Sequence, residues 1–391
     1  MQRDQFFRNF VLACVFFTGL FFALIQVVDP YGVSPLSIRL EHFNRLKPAR
    51  VDIDRLIKPL EVWKYQPKTI FLGTSRAQEG LDPSFLDGTR FAPAYNASVP
   101  ASSVALNAAY LRQFIRLDPR LRTVVVELFF YQFIGGSVPL ENQQVSQIQS
   151  LLNFAETTQS LLLSADALYA SFQTVVMNLL KSARPVGITP RGNFYFPPGH
   201  NAMNDFNGFA AGIWQSNIPP NILLFPKLNE VEFKAFLDIV QICRENDLEL
   251  FFILAPNHAY DEYRVEATGI WPQVEEWLRR VSVATNVYSF SQPNEWTYEP
   301  VKKNMVYWHD PLHFTPEMGR YILAAISGTP LGRAPSNFVV LMRPDIVSTH
   351  VAQRREAIKA WAKTETDYVE RFQEARRRWE DVWRLHLERH D

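Results

Sequence analysis

The chain has 391 residues, with 40 lysines and arginines against 40 aspartates and glutamates, so no net field points toward a nucleic-acid partner. Its two cysteines, Cys14 in an apolar run and Cys243 in a predicted helix, exclude a disulfide framework and a cysteine-rich metal site. The length allows one large α/β domain with additions, and 30 phenylalanines with 9 tryptophans suit membrane contact, sugar stacking or a large core.

Residues 10–28 carry no charge, and 19 residues are enough for one bilayer crossing at about 1.5 Å per helical residue. A cleaved secretory signal passes the same length test, but residues 24–30 lack a small-x-small cleavage pattern, which favours a retained anchor. Arg3 and Arg8 before the run and Asp29 after it place the N-terminus in the cytoplasm. The bulk then lies outside the inner membrane, in the periplasm of a Gram-negative host. Residues 1–31 read as the anchor and 32–67 as a juxtamembrane segment with a short helix near 53–63 and no assigned chemistry.

An α/β domain is expected over 68–330, interrupted by an insertion at 136–227. Residues 69–72 are β-branched and apolar, as a buried parallel strand requires, and they deliver Gly73-Thr74-Ser75-Arg76 onto a turn that opens a helix. A short strand at 91–96 is confined to an edge by Pro93; a helix over 102–117 and a strong strand over 123–129 complete a parallel β-α-β unit. The insertion is helical over 145–181 and then rich in Gly, Pro, Asn and aromatics, where Phe194, Tyr195, Phe206 and Trp214 suit either sugar stacking or a packed lid core. A helix over 229–246 and a strand over 248–254 resume the alternation, with His258 just beyond the strand's carboxyl end, either a pocket residue or a plain loop residue. A helix near 272–284, a strand at 286–290, a loop carrying His309-Asp310-Pro311-Leu312-His313 and a helix over 316–326 follow. The tail, 331–391, is dense in charge with an apolar stripe at Ile358, Trp361, Tyr368, Phe372, Ala375, Trp379 and Val382. It reads as a helix docked on its own domain, with a partner-binding coiled coil as the alternative.

Ser75 is either a helix cap or a nucleophile, and a nucleophilic serine needs an imidazole and an orienting carboxylate. His313 and Asp310 supply that pair late in the chain. The α/β-hydrolase elbow requires Gly-x-Ser-x-Gly, but Ala77 stands in the last place. Arg76 fits either a substrate carboxylate or phosphate, or a surface ion pair. The histidines at 258, 309 and 313 lack the helical pairing of zinc motifs, so no metal or other cofactor is implied.

Gly73-Thr74-Ser75 followed late by Asp310-x-x-His313 resembles the SGNH (GDSL-type) hydrolase superfamily over residues 68–326. The resemblance implies a flavodoxin-like α/β/α sandwich that cleaves or transfers acyl esters, with Ser75 as nucleophile, His313 as base and Asp310 as its orienting acid. In that family the oxyanion is held by the serine N–H, a glycine N–H from a second block and an asparagine from a third. Here Asn96-Ala97-Ser98 and Glu127-Leu128-Phe129-Phe130 stand in those blocks, leaving the N–H groups of Ser75 and of Ala97 or Ser98 as candidate donors beside Gly73. The anchor with Gly-Thr-Ser-Arg is similar to the membrane-bound SGNH-like proteins that accompany O-acyltransferases. That likeness implies acyl, chiefly acetyl, transfer on a cell-envelope polysaccharide with an integral-membrane partner. Two other readings stand beside it: a catalytically weak module that binds glycan or the acyltransferase, motivated by the missing asparagine, and a scaffold working through anchor and tail.

Overall fold

The computed structural model describes residues 2–34, 37–51, 53–134, 162–180, 187–195, 201–212 and 227–387. Eight strands run through them: β1 (Thr69–Leu72), β2 (Ala94–Asn96), β3 (Thr123–Leu128), β4 (Gly187–Ile188), β5 (Phe194–Tyr195), β6 (Glu249–Leu254), β7 (Val287–Ser289) and β8 (Val340–Met342). Six form one sheet in the order β2-β1-β3-β6-β7-β8, parallel except for β8, which pairs antiparallel with β7. The other two, β4 and β5, make a separate antiparallel pair. Every residue of β1 and β3 is buried, so both sheet faces are covered there; this is why 70–72 and 124–126 read as apolar runs with no polar alternation, with Glu127 as the one charged residue in the two strands. The short β2 lies at the sheet edge as Pro93 requires, and the carbonyl of Pro93 accepts from the Lys68 N–H (2.8 Å).

The chain begins with α1 (Gln2–Val28), in which Asp4–Val28 is long and apolar enough to cross a membrane. Its phenylalanines at 6, 7, 10, 16 and 17 are exposed, and its last turn is buried against the rest of the described residues. There Ile25 joins Tyr31, Val33, Leu162 and side chains of α2 (Asp54–Tyr65) in a small apolar cluster. Further along come α3 (Ser75–Gly80), α4 (Val104–Leu117), α5 (Ala165–Leu179), α6 (Ala202–Gly212), α7 (Glu230–Glu245), α8 (Ala259–Thr268), α9 (Trp271–Ala284) and α10 (Pro316–Ser327). The tail forms two helices, α11 (Val347–Ala362) and α12 (Thr366–Leu387).

Most predicted elements match within two or three residues, and the departures have physical causes. The sequence reading has no helix at α8. Residues 259–265 are buried all round, so Asp261, Glu262 and Arg264 break the apolar pattern although each is inside, the last paired with Asp261. Likewise α6 lies in a stretch read as loop because of its Asn and Gly content, and β8 was taken as part of the tail. The single tail helix is two, divided at Lys363–Glu365, where the N–H groups of Lys363 and Thr364 bond back to Ala360 and Trp361. Residues 145–161, most of the helix expected in the insertion, and Trp214 lie outside the described residues.

Two glycines set the spacing that matters most for the site. A Cβ on Gly319 of α10 would stand 1.7 Å from the Gly80 carbonyl oxygen at the end of α3, and one on Gly80 would run into the Phe314 ring. The backbones of α3 and α10 therefore touch, which only glycine permits. Gly319→Ala is expected to push the helices apart and to lower the melting temperature of the detergent-solubilised protein by several degrees, as overpacking of about 1–3 kcal/mol does. An unchanged melting temperature would show that the contact yields freely.

Candidate active site

Ser75 is the first residue of α3, immediately beyond the carboxyl end of β1. The turn that presents it is held by the neighbouring strand: Glu127 of β3 accepts hydrogen bonds from the Thr74 N–H (2.9 Å) and hydroxyl (3.0 Å). Gly73 is needed because a Cβ there would lie 2.8 Å from the Glu127 Cβ and 2.9 Å from the Ala77 Cβ.

His313 comes from the loop between β7 and α10. Trp308 and Phe314 bridge across that loop, and the His309 N–H bonds the His313 carbonyl at 2.9 Å. Asp310 folds its tip, accepting from the N–H groups of Leu312 (2.7 Å) and His313 (2.9 Å) through one carboxylate oxygen. The other oxygen meets His313 Nδ1 at 2.6 Å, and His313 Nε2 meets Ser75 Oγ at 2.7 Å. An Nδ1–H held by Asp310 leaves the Nε2 lone pair facing the serine hydroxyl, the arrangement a general base requires. Three residues from opposite ends of the domain are thus joined in one relay.

Glu79, which the sequence reading passed over, completes the electrostatics. It lies one helical turn beyond Ser75, and its Oε1 is 3.7 Å from His313 Nε2. The Ser-x-x-x-Glu spacing, i to i+4 on one helix face, was the available signal. Burial pushes the Glu79 carboxyl up to about 7, against the opposing influence of His313. Burial alone would lower the His313 imidazole, but Asp310 and then Glu79 reverse this and raise it to about 9. Burial also tends to raise Asp310; the His313 ring and the two backbone donors outweigh it and hold the carboxyl below its ordinary value.

Arg76 is neither a surface ion pair nor an open ligand contact. It is 2% exposed, and its Nε donates to the Leu312 carbonyl (3.0 Å). Its Nη2 donates to the Pro256 carbonyl and to Asn257 Oδ1 (2.8 Å), while Nη1 lies 3.5 Å from Glu127. The guanidinium sits over the Phe129 ring at 4.3 Å. It ties the serine turn to the histidine loop and to the ends of β3 and β6.

The second-block donors expected from sequence are already committed. The Ala97 N–H bonds the Phe71 carbonyl (2.8 Å), continuing the pairing of β2 with β1, and the Ser98 N–H bonds Asn96 Oδ1 (3.0 Å). Asn96 Nδ2 donates to the carbonyls of Ala77 and Leu81, both at 2.8 Å. All three residues are buried; Asn96 fastens β2 to α3, Ala97 continues the pairing with β1, and Ser98 bonds back to Asn96. The Ser75 N–H has no acceptor among the described residues and is the one expected donor still available.

His258 is likewise structural. Its Nδ1 accepts the Tyr260 N–H at the start of α8 (3.2 Å), its Nε2 bonds the Glu299 carbonyl (2.9 Å), and burial lowers its pKa to about 4. Phe206, a candidate for sugar stacking, is buried edge-on against the His258 ring with centroids 4.7 Å apart.

No family model matches the chain, and no curated protein matches it.

Because His313 must be neutral to accept a proton, labelling of Ser75 by a fluorophosphonate is expected to quicken as pH rises and to level off above about 9. Glu79→Gln removes one influence that raises the imidazole, so the midpoint should move to lower pH. A labelling rate flat from pH 6 upward, or a midpoint that Glu79→Gln leaves in place, contradicts this electrostatic picture.

Proposed function

We propose that the chain is a membrane-anchored, extracytoplasmic serine esterase or O-acyltransferase of the SGNH type, acting on acyl esters of a cell-envelope polysaccharide. The observation that carries this reading is the unbroken line from Ser75 Oγ through His313 to Asp310, at 2.7 and 2.6 Å. Two features of the fold support it. The parallel order β2-β1-β3-β6-β7 is the 2-1-3-4-5 order of flavodoxin-like sheets once the β4–β5 pair is set aside. Ser75 also lies outside the carboxyl end of β1, where the strand order reverses and such sheets bind ligands. The apolar α1 supports anchoring, with the catalytic domain on the outer side and an integral-membrane acyltransferase as the natural acyl source.

In this mechanism Ser75 Oγ attacks the acyl carbonyl while His313 Nε2 takes its proton, and Asp310 stabilises the resulting imidazolium. The Ser75 N–H lies at the oxygen on which charge develops. Collapse expels the alkoxide, which recovers the proton from His313, and leaves an acyl-serine. A second hydroxyl, from water or a sugar, then passes its proton to His313 and attacks the ester; the bond to Ser75 Oγ breaks and the serine recovers the proton from His313. Hydrolysis and transfer share every step except the identity of that hydroxyl.

A second reading has its own observation. With the Ala97 and Ser98 N–H groups committed and Glu127 standing in the third block, the oxyanion has one expected donor, and each absent donor lowers kcat by about 10²–10³. A weakly catalytic module that binds glycan or the acyltransferase follows if that deficit is not made up by the substrate complex.

p-Nitrophenyl acetate separates the two. The full-length protein in detergent is expected to hydrolyse it with a burst of about one equivalent, and Ser75→Ala to lose activity by about 10³-fold or more. Equal rates for wild type and Ser75→Ala would remove the enzymatic reading and leave the binding module.

A further inference from the structure

Beyond the serine site, the described residues line a solvent-open cavity of about 320 Å³ at the foot of α1. Its lining is strongly basic: Arg39, Arg45, Lys47 and Arg50, with Thr189 and Tyr195 from the β4–β5 pair. We infer that this cavity binds the phosphate of a membrane phospholipid headgroup. The inference rests on the anchor reading proposed above and on three observations.

The first is position. Lys47 Nζ donates to the carbonyl of Val28, the last residue of α1 (3.5 Å), and to that of Asp29, which also accepts from the Gly32 N–H, and it pairs with the Asp29 carboxylate at 3.3 Å. The cavity is therefore fastened to the last turn of the apolar helix. The uncharged run at 10–28 is about 28 Å long as a helix, close to the hydrocarbon thickness of a bilayer. Its end, and the cavity with it, falls at the depth of the lipid phosphates.

The second is charge. Lys47 is matched by Asp29, Arg50 by Glu61 at 2.5 Å and Arg45 by the exposed Glu41. Arg39, on the outer side of the pocket, has no hydrogen bond or ion pair among the described residues, and partial desolvation together with the nearby Arg50 lowers its pKa against the pull of Glu61 and Asp29. One cation is left over where like charges already crowd, and an anion there relieves the repulsion.

The third is an unmet donor. Arg50 is 1% exposed, and its Nε is buried without a hydrogen-bond partner. Guanidinium groups bind phosphate oxygens with paired N–H donors, and the Tyr195 and Thr189 side chains add neutral polar atoms to the wall. The chemistry is that of a phosphate ester, and the location selects a lipid as its bearer. Occupancy of the cavity would fix the tilt and height of the domain over the bilayer, and so the reach of Ser75 toward its substrate.

Thermal unfolding of the full-length protein in a non-ionic detergent tests this, with four additions: dihexanoyl phosphatidylglycerol, dihexanoyl phosphatidylcholine, dihexanoylglycerol and inorganic phosphate. Both phosphate-bearing lipids are expected to raise the melting temperature, the anionic one more strongly. Dihexanoylglycerol, which has the chains without the phosphate, should leave it unchanged, and inorganic phosphate should act only at much higher concentration. Arg39→Gln with Arg45→Gln, both exposed, should retain the ligand-free melting temperature and weaken phosphatidylglycerol binding roughly 25-fold, at about fivefold per basic residue. Equal shifts from dihexanoylglycerol, or undiminished binding by the double variant, would overturn the site. Inorganic phosphate acting as strongly as the lipid would overturn the lipid assignment in favour of a free-anion site. Extraction of membranes with alkaline carbonate reports on the anchor separately: release of the chain would remove the argument from depth while leaving the basic cavity itself to be judged by the anion titration.

Discussion

The candidate site depends on one buried guanidinium. Arg76 follows Ser75 directly and reaches Leu312 beside the histidine, Pro256 and Asn257 beyond β6, and Glu127 at the end of β3. Burying a charge costs several kcal/mol, offset here by Glu127 and by backbone carbonyls that would otherwise lack donors. Removing either partner of such a pair would leave a buried charge uncompensated, so the four segments are held together at this one guanidinium. The touching glycines of α3 and α10 act on the same geometry from the other side, setting how close the helix after His313 comes to the helix that starts at Ser75.

The acid side of the site is richer than a simple relay, and the oxyanion side is poorer. Two carboxylates, Asp310 and Glu79, flank one imidazole and hold its proton more firmly than either would alone. Opposite them, the segment after β2 spends its N–H groups on pairing with β1 and on Asn96. In place of a third-block donor stands Glu127, an acceptor, and its carboxylate is bound to the serine turn itself. Glu127 is thus a brace beneath the serine turn.

The same economy governs the periphery. The apolar stripe of the tail is covered by its own domain as far as Phe372: Tyr368 stacks on Tyr260 and donates to its carbonyl at 3.1 Å, Gln373 donates to the Tyr263 hydroxyl at 2.9 Å, and Phe372 is fully buried. The interior face of α12 up to Phe372 is therefore occupied. At the other end, the last turn of α1 meets the domain through the apolar cluster around Ile25 and through hydrogen bonds from Asn44 to the Val27 carbonyl and from Lys47 to the Val28 carbonyl, so that turn is fastened to Lys47 and the basic pocket.

Local chemistry was legible in the sequence wherever period and composition suffice. The buried strands β1 and β3, the edge position forced by Pro93, the apolar helix at the N-terminus and the pairing of Asp310 with His313 all follow from short-range patterns, because each needs only neighbours within a few residues. The helix α8 and the role of Arg76 were not legible, since a buried charge looks like a surface charge until the elements that cover it are brought beside it; the partners of Arg76 lie 51 to 236 positions away. Nor could the sequence tell that the Ala97 and Ser98 N–H groups were spent, because a donor's availability depends on which carbonyl lies opposite. Sequence alone determined that Ser75 stands on a turn after a buried strand, with an Asp-x-x-His late in the chain. Tertiary structure decided that the two meet at 2.7 Å, and that Glu79 and Arg76 surround them, because distance between remote residues is set by packing and not by order along the chain.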